Sequence, residues 1–325
     1  MTEPPVKTPA ISVLMPVYNA APHLHEAMDS ILGQSFGDFE FLCVDDGSTD
    51  SSPDILRDYA SRDPRVVIIT KPNGGVTSAL NAGLKVARGE FVARMDADDI
   101  ADPQRFEAQV EHMRANPEVV AVGCQVTHMT AHGVNLSLSP LYATHEAIAE
   151  CLWNGNSSAM PHFGSFMRRA ALSQIGNYRE EFRTAQDLDL FLRLSEIGKL
   201  GNVPRSLMRY RVHEGSVGAR KADEQARNAR EILRQAYERR GLKLPPHLAK
   251  WKNVVVSINR QRWGWQALEE RRYADARGHA WSVLRRRPFR KQSWQLALHA
   301  LFGPCRPAAR SVIRGLRRLA GRRDK

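Results

Sequence analysis

The chain has 325 residues, 42% hydrophobic and 25% charged, a balance that excludes a disordered chain and allows one catalytic-sized domain with an appendage. Its longest apolar runs, ISVLM and VVII, fall far short of the roughly 18–20 residues that cross a bilayer. The net charge of +12 is unevenly divided, because residues 221–325 carry 27 Lys and Arg against 8 Asp and Glu, whereas residues 1–220 hold 20 against 27.

The opening MTEPPVKTP has Pro and Glu where a secretion signal needs a basic patch and an apolar core, so a cytoplasmic location is expected. Cys43, Cys124, Cys151 and Cys305 show no paired spacing, which fits a reducing compartment and argues against structural zinc. Five of the six tryptophans lie in the basic part. The expected organisation is a slightly acidic domain, 1–220, followed by a basic, Trp-rich helical region, 221–325.

Along the chain, ISVLMPV (11–17) is a continuous apolar run, the pattern of a strand covered on both faces. PHLHEAMDSILG places Leu24, Met28, Ile31 and Leu32 on one helical face, with Pro22 in the first turn and Gly33 at the end. FEFLCVDD predicts a second strand, and SSPDILRDYA a helix capped by Ser. RVVII predicts a third strand, VTSALNAGLKVARG a helix ending at Gly89, EFVARM a fourth strand, and DPQRFEAQVEHMRANP a helix capped by Asp102. This alternation predicts an α/β fold with a mostly parallel sheet and helices on both faces.

Beyond residue 140 the pattern is mixed. It gives a helix capped by Thr144, a strand in HFGSFMRR, a short helix closed by Gly176, a helix in QDLDLFLRLSEIG and a closing strand in LMRYRVH. Residues 221–241 read as a helix, those from 265 as a helical hairpin broken at Pro288, and 307–325 as a basic amphipathic helix.

In an open α/β sheet, ligands sit beyond the carboxyl ends of the strands. Asp45-Asp46 follow one predicted strand and Asp96-Ala97-Asp98-Asp99 another, so both acidic clusters should share a rim. Three carboxylates in four positions repel one another unless a positive charge sits among them. A divalent cation takes hard oxygen ligands and leaves positions open for phosphate oxygens. A solvated turn, with Asp102 capping the next helix, is the plain alternative.

PVYN after strand one, VDDGSTD after strand two, NGGVTSALNAG entering the third helix and GEFVARMDADD occur in an order that resembles the inverting family 2 glycosyltransferases. The resemblance covers roughly residues 10–215 and implies a GT-A fold, Rossmann-like, to which the helical C-terminal region read from the pattern of 221–325 is appended. It implies that Pro16 and Tyr18 line the base side of a nucleotide-diphosphate sugar pocket, with a UDP-linked donor expected. It further implies that Asp46 bonds the uracil or ribose, and that Asn73, Gly75 and Asn81 flank the donor. Asp45 is left to brace its loop; a plain turn remains open for the pair, and Gly75 reads equally as a permissive turn residue.

The resemblance also implies that Asp96 and Asp98 bind Mg²⁺ or Mn²⁺, with Asp98 the direct ligand. In QDLDLFLRL, Asp187 matches the general base that deprotonates the acceptor hydroxyl, and Gln186 stands where Glu is usual. A helix N-cap is the plain reading of Asp187, and both can hold together; Asp189 reads as structural. His213 in YRVHEGSVG is a candidate third metal ligand, and His162 a lining residue on the acceptor side. NRQRWGW (259–265) lies too far downstream for the Gln-x-x-Arg-Trp of processive synthases, so chain-extruding polymerisation is not expected.

The implied activity is single-displacement transfer of a sugar to a hydroxyl of a saccharide or lipid-linked acceptor, in cell-surface polysaccharide or glycolipid assembly. The basic tail suits an anionic membrane surface, placing the protein peripherally on the inner face; nucleic acid would meet the same charge but not the apolar stripe of 307–325, and a solvated face covering the domain's own acidic surface is the plain alternative. The alternatives are a sugar-1-phosphate nucleotidyltransferase, for which MPVYNAAPH lacks a Gly- and Lys/Arg-rich phosphate loop, and a non-catalytic nucleotide-sugar or nucleic-acid-binding protein.

Overall fold

The computed structural model describes residues 8–133, 135–212, 221–249 and 261–302, the last with breaks at 262, 266, 269–270 and 272. Contacts divide the chain into two compact units, Met1–Lys252 and Asn253–Lys325. The first unit runs past the expected boundary at 220, because the helix Ala222–Arg239 buries Ala229, Ile232, Leu233 and Ala236 in its core.

In chain order the first unit contains β1 (Ile11–Val17), α1 (Ala21–Leu32), β2 (Phe39–Asp45), α2 (Ser52–Arg62), β3 (Val66–Thr70), α3 (Val76–Leu84), β4 (Phe91–Arg94), β5 (Ile100–Ala101) and α4 (Arg105–Ala115). These are followed by β6 (Val119–Thr130), β7 (Asn135–Leu138), α5 (His145–Trp153), β8 (Phe166–Arg168), α6 (Arg169–Gln174), α7 (Gln186–Leu194), β9 (Lys199–Val212) and α8 (Ala222–Arg239). Among the described residues the strands form one nine-stranded sheet, ordered β3-β2-β1-β4-β8-β6-β9-β5 with β7 beside β6.

The first half is built as the periodicity predicts, except that α3 ends at Leu84, with Lys85 at its cap position, rather than at Gly89. β1 pairs in parallel with β2 and β4, and β2 with β3. Alternate residues of β1 face opposite sides of the sheet, as a strand requires. Val13, Met15 and Val17 join α1, α2 and α4 in one core, while Leu14 packs with α3, α5 and α7 in the other. Gly83 lets α3 approach closely, since a Cβ there would sit 2.1 Å from Leu14 Cδ1.

The second half adds what local pattern did not assign. β6 lies in a stretch for which the local pattern predicts no element, and it pairs with β9 in parallel from Val119↔Lys199 to Thr130↔Val212. β9 begins at Lys199, eight residues before the predicted closing strand, which starts at Leu207. Antiparallel β8 joins β4 to β6, so the sheet is mixed beyond β4. HFGSFMRR is divided between a 3-10 turn at His162–Gly164 and the short β8.

Three helix starts differ from expectation. α4 begins at Arg105 with Gln104 at its cap position, and Asp102 instead accepts from Gln104 N at 3.0 Å, just ahead of the helix. Asp50, not Ser51, satisfies the α2 entry: its Oδ1 accepts from Ser52 N at 2.9 Å and its Oδ2 from Ala21 N at 3.1 Å. In α7 the cap position is Ala185, in the left-handed conformation at φ 59°, so Asp187 is not the cap but lies inside the first turn. Thr144 does cap α5, accepting from Ala147 N at 3.3 Å.

Among the described residues the second unit includes the helices Tyr273–Arg286 and Lys291–Phe302, joined through Ala276, Ala280, Leu284, Leu296, Ala297 and Ala300, with Ala267 from helical residues at 261–268 in the same core. His213 and the helix expected at 307–325 lie outside the described residues.

Candidate active site

The parallel register sets the site. Val17 stands opposite Asp45, and Leu14 opposite Arg94, so the segments leaving β1, β2 and β4 emerge together at the carboxyl edge. The order reverses at β1, with β2 on one side and β4 on the other, which is the switch point where open α/β sheets bind ligands. Pro16 is half-buried at the end of β1, and Tyr18 beyond it is 54% exposed. Asn19, at φ 49°, holds the two loops together, its Oδ1 accepting from Thr49 N at 2.8 Å while its own N–H donates to Ser48 Oγ at 3.1 Å.

Asp46 is buried at this edge and already surrounded by donors. Its Oδ1 accepts from Lys71 Nζ at 2.6 Å and Gly74 N at 3.0 Å, and its Oδ2 from Gly75 N at 2.8 Å. Asp46 thus braces the 71–75 loop at the rim. Asp45 braces as well, accepting from Ser48 N at 3.0 Å. Gly75, at φ +87° with open space where a Cβ would stand, opens α3, and Asn73 is exposed beside it. Asn81 turns away from the rim. Its amide donates to Tyr178 O at 2.9 Å and Glu180 Oε1 at 3.2 Å and accepts from Tyr178 N at 3.1 Å, tying α3 to the segment that leads into α7.

The loop after β4 is the opposite case. Asp96, Asp98 and Asp99 each offer an oxygen, and these lie within 4.8 Å of one another. Asp99 is fully buried; its Oδ1 accepts from Arg211 N at 2.8 Å, but its Oδ2 has no hydrogen-bond partner. Burial, then the charges of Asp96 and Asp98, push its carboxyl well above the ordinary range. The Asp96 carboxyl is also raised, by the surrounding protein and by Asp98, despite its ion pair with Arg94 and a side chain that is 32% exposed. Mutual repulsion and an orphaned buried oxygen are what a divalent cation would relieve, so this donor set fits Mg²⁺ or Mn²⁺.

Two buried arginines hold the acid loop. Arg94, on β4, pairs with Asp96. Arg211, on β9, donates from Nε to Asp98 O at 2.8 Å, from Nη1 to Ala131 O at 2.7 Å and from Nη2 to Glu26 at 3.1 Å, joining the loop to the β6–β7 turn and to α1. Asp99 belongs to the acidic cluster that the sequence shows, but the sequence gives it no role of its own and points to neither arginine as its neighbour. Arg94 had a signal, a charge inside an apolar strand run, but its partner was visible only in three dimensions.

Asp187 is half-buried in the first turn of α7 and makes no hydrogen bond or ion pair with another described residue. The helix beneath it is anchored instead through Asp189, which Arg179 and Arg193 clamp together; Arg193 Nε reaches Asp189 Oδ2 at 2.9 Å. Thr77 adds a bond to Phe182 O at 3.1 Å, and Asn228 another to Thr184 Oγ1 at 2.9 Å. Tyr178 relates this element to the acid loop, since the charges of Asp187, Asp96 and Arg94 all act on its buried hydroxyl. That hydroxyl bonds His162 Nε2 at 2.7 Å, and burial, then Arg94, hold the imidazole well below its usual pKa. His162 is thus a neutral, buried partner of Tyr178.

The sequence profile described as Glycosyl transferase family 2 matches residues 12–176. The chain is 30% identical over 238 residues to a hyaluronan synthase of Pasteurella multocida, covering 73% of this chain but 24% of that protein. It is 29% identical over 236 residues to an uncharacterized glycosyltransferase of Haemophilus influenzae, covering 70% and 73%. The chain thus spans about a quarter of the length of the Pasteurella synthase. Among solved structures, S. aureus TarS 1–349 in complex with UDP-GlcNAc is similar at TM-score 0.58 and 18% identity, covering 90% of this chain and 79% of that one. The mannosyltransferase PcManGT from Pyrobaculum calidifontis, in complex with GDP-Man and Mn2+, is similar at 0.54 and 19%, covering 97% and 81%. With its GT-A sheet, its acid-lined switch point and this profile over half its length, the chain belongs to glycosyl transferase family 2.

Proposed function

We propose that this glycosyltransferase moves a sugar from a nucleotide-diphosphate donor, UDP-linked in the first instance, to a hydroxyl of a saccharide or lipid-linked acceptor, with inversion. The observation that carries the reading is the Asp96–Asp98–Asp99 cluster at the switch point, with Asp187, which has no hydrogen bond or ion pair among the described residues, acting with Asp96 on the same Tyr178 hydroxyl. The solved relatives with bound UDP-GlcNAc and GDP-Man support a nucleotide sugar as donor.

Each residue has a physical task in this reading. Asp98, with Asp96, would hold Mg²⁺ or Mn²⁺, whose positive charge stabilises a departing diphosphate. Tyr18 offers an exposed ring for a nucleobase beside Pro16, while Asp46, through Gly74 and Gly75, fixes the loop at Asn73 that flanks the donor. Asp187 removes the acceptor proton as the hydroxyl attacks in line, and no protein hydrogen bond need be broken first. Arg94 and Arg211 keep the acid loop in place without touching the sugar.

The Pasteurella hyaluronan synthase supports a role in surface polysaccharide or glycolipid assembly. Among the described residues no helix is long and apolar enough to cross a membrane, and the basic C-terminal region is read as holding the enzyme against the anionic inner face. A panel of UDP- and GDP-sugars, scored by thermal stabilisation with Mn²⁺ and by slow donor hydrolysis, tests the activity. Stabilisation by none of the panel, with or without metal, would overturn it.

A further inference from the structure

We propose that the turn joining the two helices of the C-terminal unit, residues 287–290, is an insertion tip for an anionic membrane surface. This deepens the reading that the basic region works at a membrane, and it assigns the contact to particular side chains.

Phe289 stands at the turn with 99% of its surface exposed, while Trp281 and Trp294 on the flanking helices are 60% and 55% exposed. An aromatic wholly in water at a turn is unfavourable in the isolated protein, and contiguous exposed apolar surface marks an interaction site. The turn is formed in advance, since Trp294 Nε1 donates to Pro288 O at 2.7 Å. Around it the charge has one sign: Arg285, Arg286, Arg287, Arg290 and Lys291 cluster there, and no Asp or Glu occurs from 276 to 302. Arg285 lies over the Trp281 ring at 5.3 Å, an arrangement that keeps a cation beside an aromatic at a headgroup level.

Charge alone would suit nucleic acid equally, and exposed aromatics can stack on bases. The aliphatic surface decides for lipid. Leu298 and Leu301 follow Trp294 at helical spacing and are 42% and 59% exposed, while Leu296 and Ala300 on the other face form the packed interior. A helix with one face packed and a second apolar stripe beside basic residues suits the headgroup–acyl boundary, where aromatic and aliphatic groups enter together and arginines meet anionic lipids.

Flotation of the full chain with vesicles tests this, comparing pure phosphatidylcholine with vesicles containing phosphatidylglycerol. Wild type should bind the anionic vesicles alone. Phe289→Ala, at a side chain with nothing packed on it, should keep the same melting temperature and bind about tenfold more weakly. Equal binding by Phe289→Ala and wild type would overturn the insertion tip and leave membrane attachment standing. No binding of wild type to anionic vesicles, with salt-sensitive binding to single-stranded RNA instead, would overturn both. Transfer to a soluble acceptor is read separately, so neither outcome bears on the chemistry of the active site.

Discussion

Asp46, after β2, and Asp99, after β4, are both buried carboxylates at the carboxyl end of a parallel strand, yet their surroundings are opposite. Lys71, Gly74 and Gly75 direct donors at Asp46. Asp99 has one donor, from Arg211, and two acids as neighbours, and one oxygen is left without a partner. The lesson is that an acid pair after a strand has two physical meanings. Where the fold supplies enough donors the carboxylate is a brace; where it adds more acids, as around Asp99, a carboxyl with a raised pKa and an unpartnered oxygen is left.

The largest expected effect tests what the open cluster is for. Asp187→Asn keeps shape but removes the base, and transfer should fall by about 10²–10⁴-fold while donor binding, by calorimetry, stays the same. Lost donor binding with undiminished chemistry would remove Asp187 from that role. Next, Asp98→Ala should weaken donor binding by about ten- to a hundredfold in Mn²⁺, and EDTA should have no further effect on the variant. An Asp98→Ala protein that still responds to EDTA like wild type would place the cation elsewhere.

The third test sets the two clusters side by side. Asp46→Ala leaves buried donors unpaired and should cost about 1–3 kcal/mol in urea unfolding, with or without metal. Asp99→Asn removes a buried charge from among acids, so the metal-free protein should lose little stability, while the stabilisation gained from Mn²⁺ should shrink. The comparison fails if both variants respond alike.

The smallest effect concerns pH. The folded-state pKa of His162 lies well below its unfolded value, so neutral His162 contributes stability above the unfolded pKa of about 6.5, and this is lost as pH falls toward the folded value. The melting temperature should therefore drop more steeply below that pH in wild type than in His162→Gln. Parallel curves would show that another group governs the acid limb.

Much of this was legible without coordinates. Each early strand and helix is marked by its own period, and each acid pair follows its strand directly, so sequence alone determined the first four βα units, the shared rim and the ordered motifs of the family. It did not determine which acids are braced. Arg211 meets Asp99 across 112 positions and Asp46 meets Gly74 across 28, and no local pattern reports such a neighbour. The same limit hid β6 and its parallel pairing with β9, in which Val119 stands beside Lys199. Periodicity is a property of neighbouring residues, whereas the satisfaction of a buried charge belongs to whatever packs against it, and only the tertiary structure decided that.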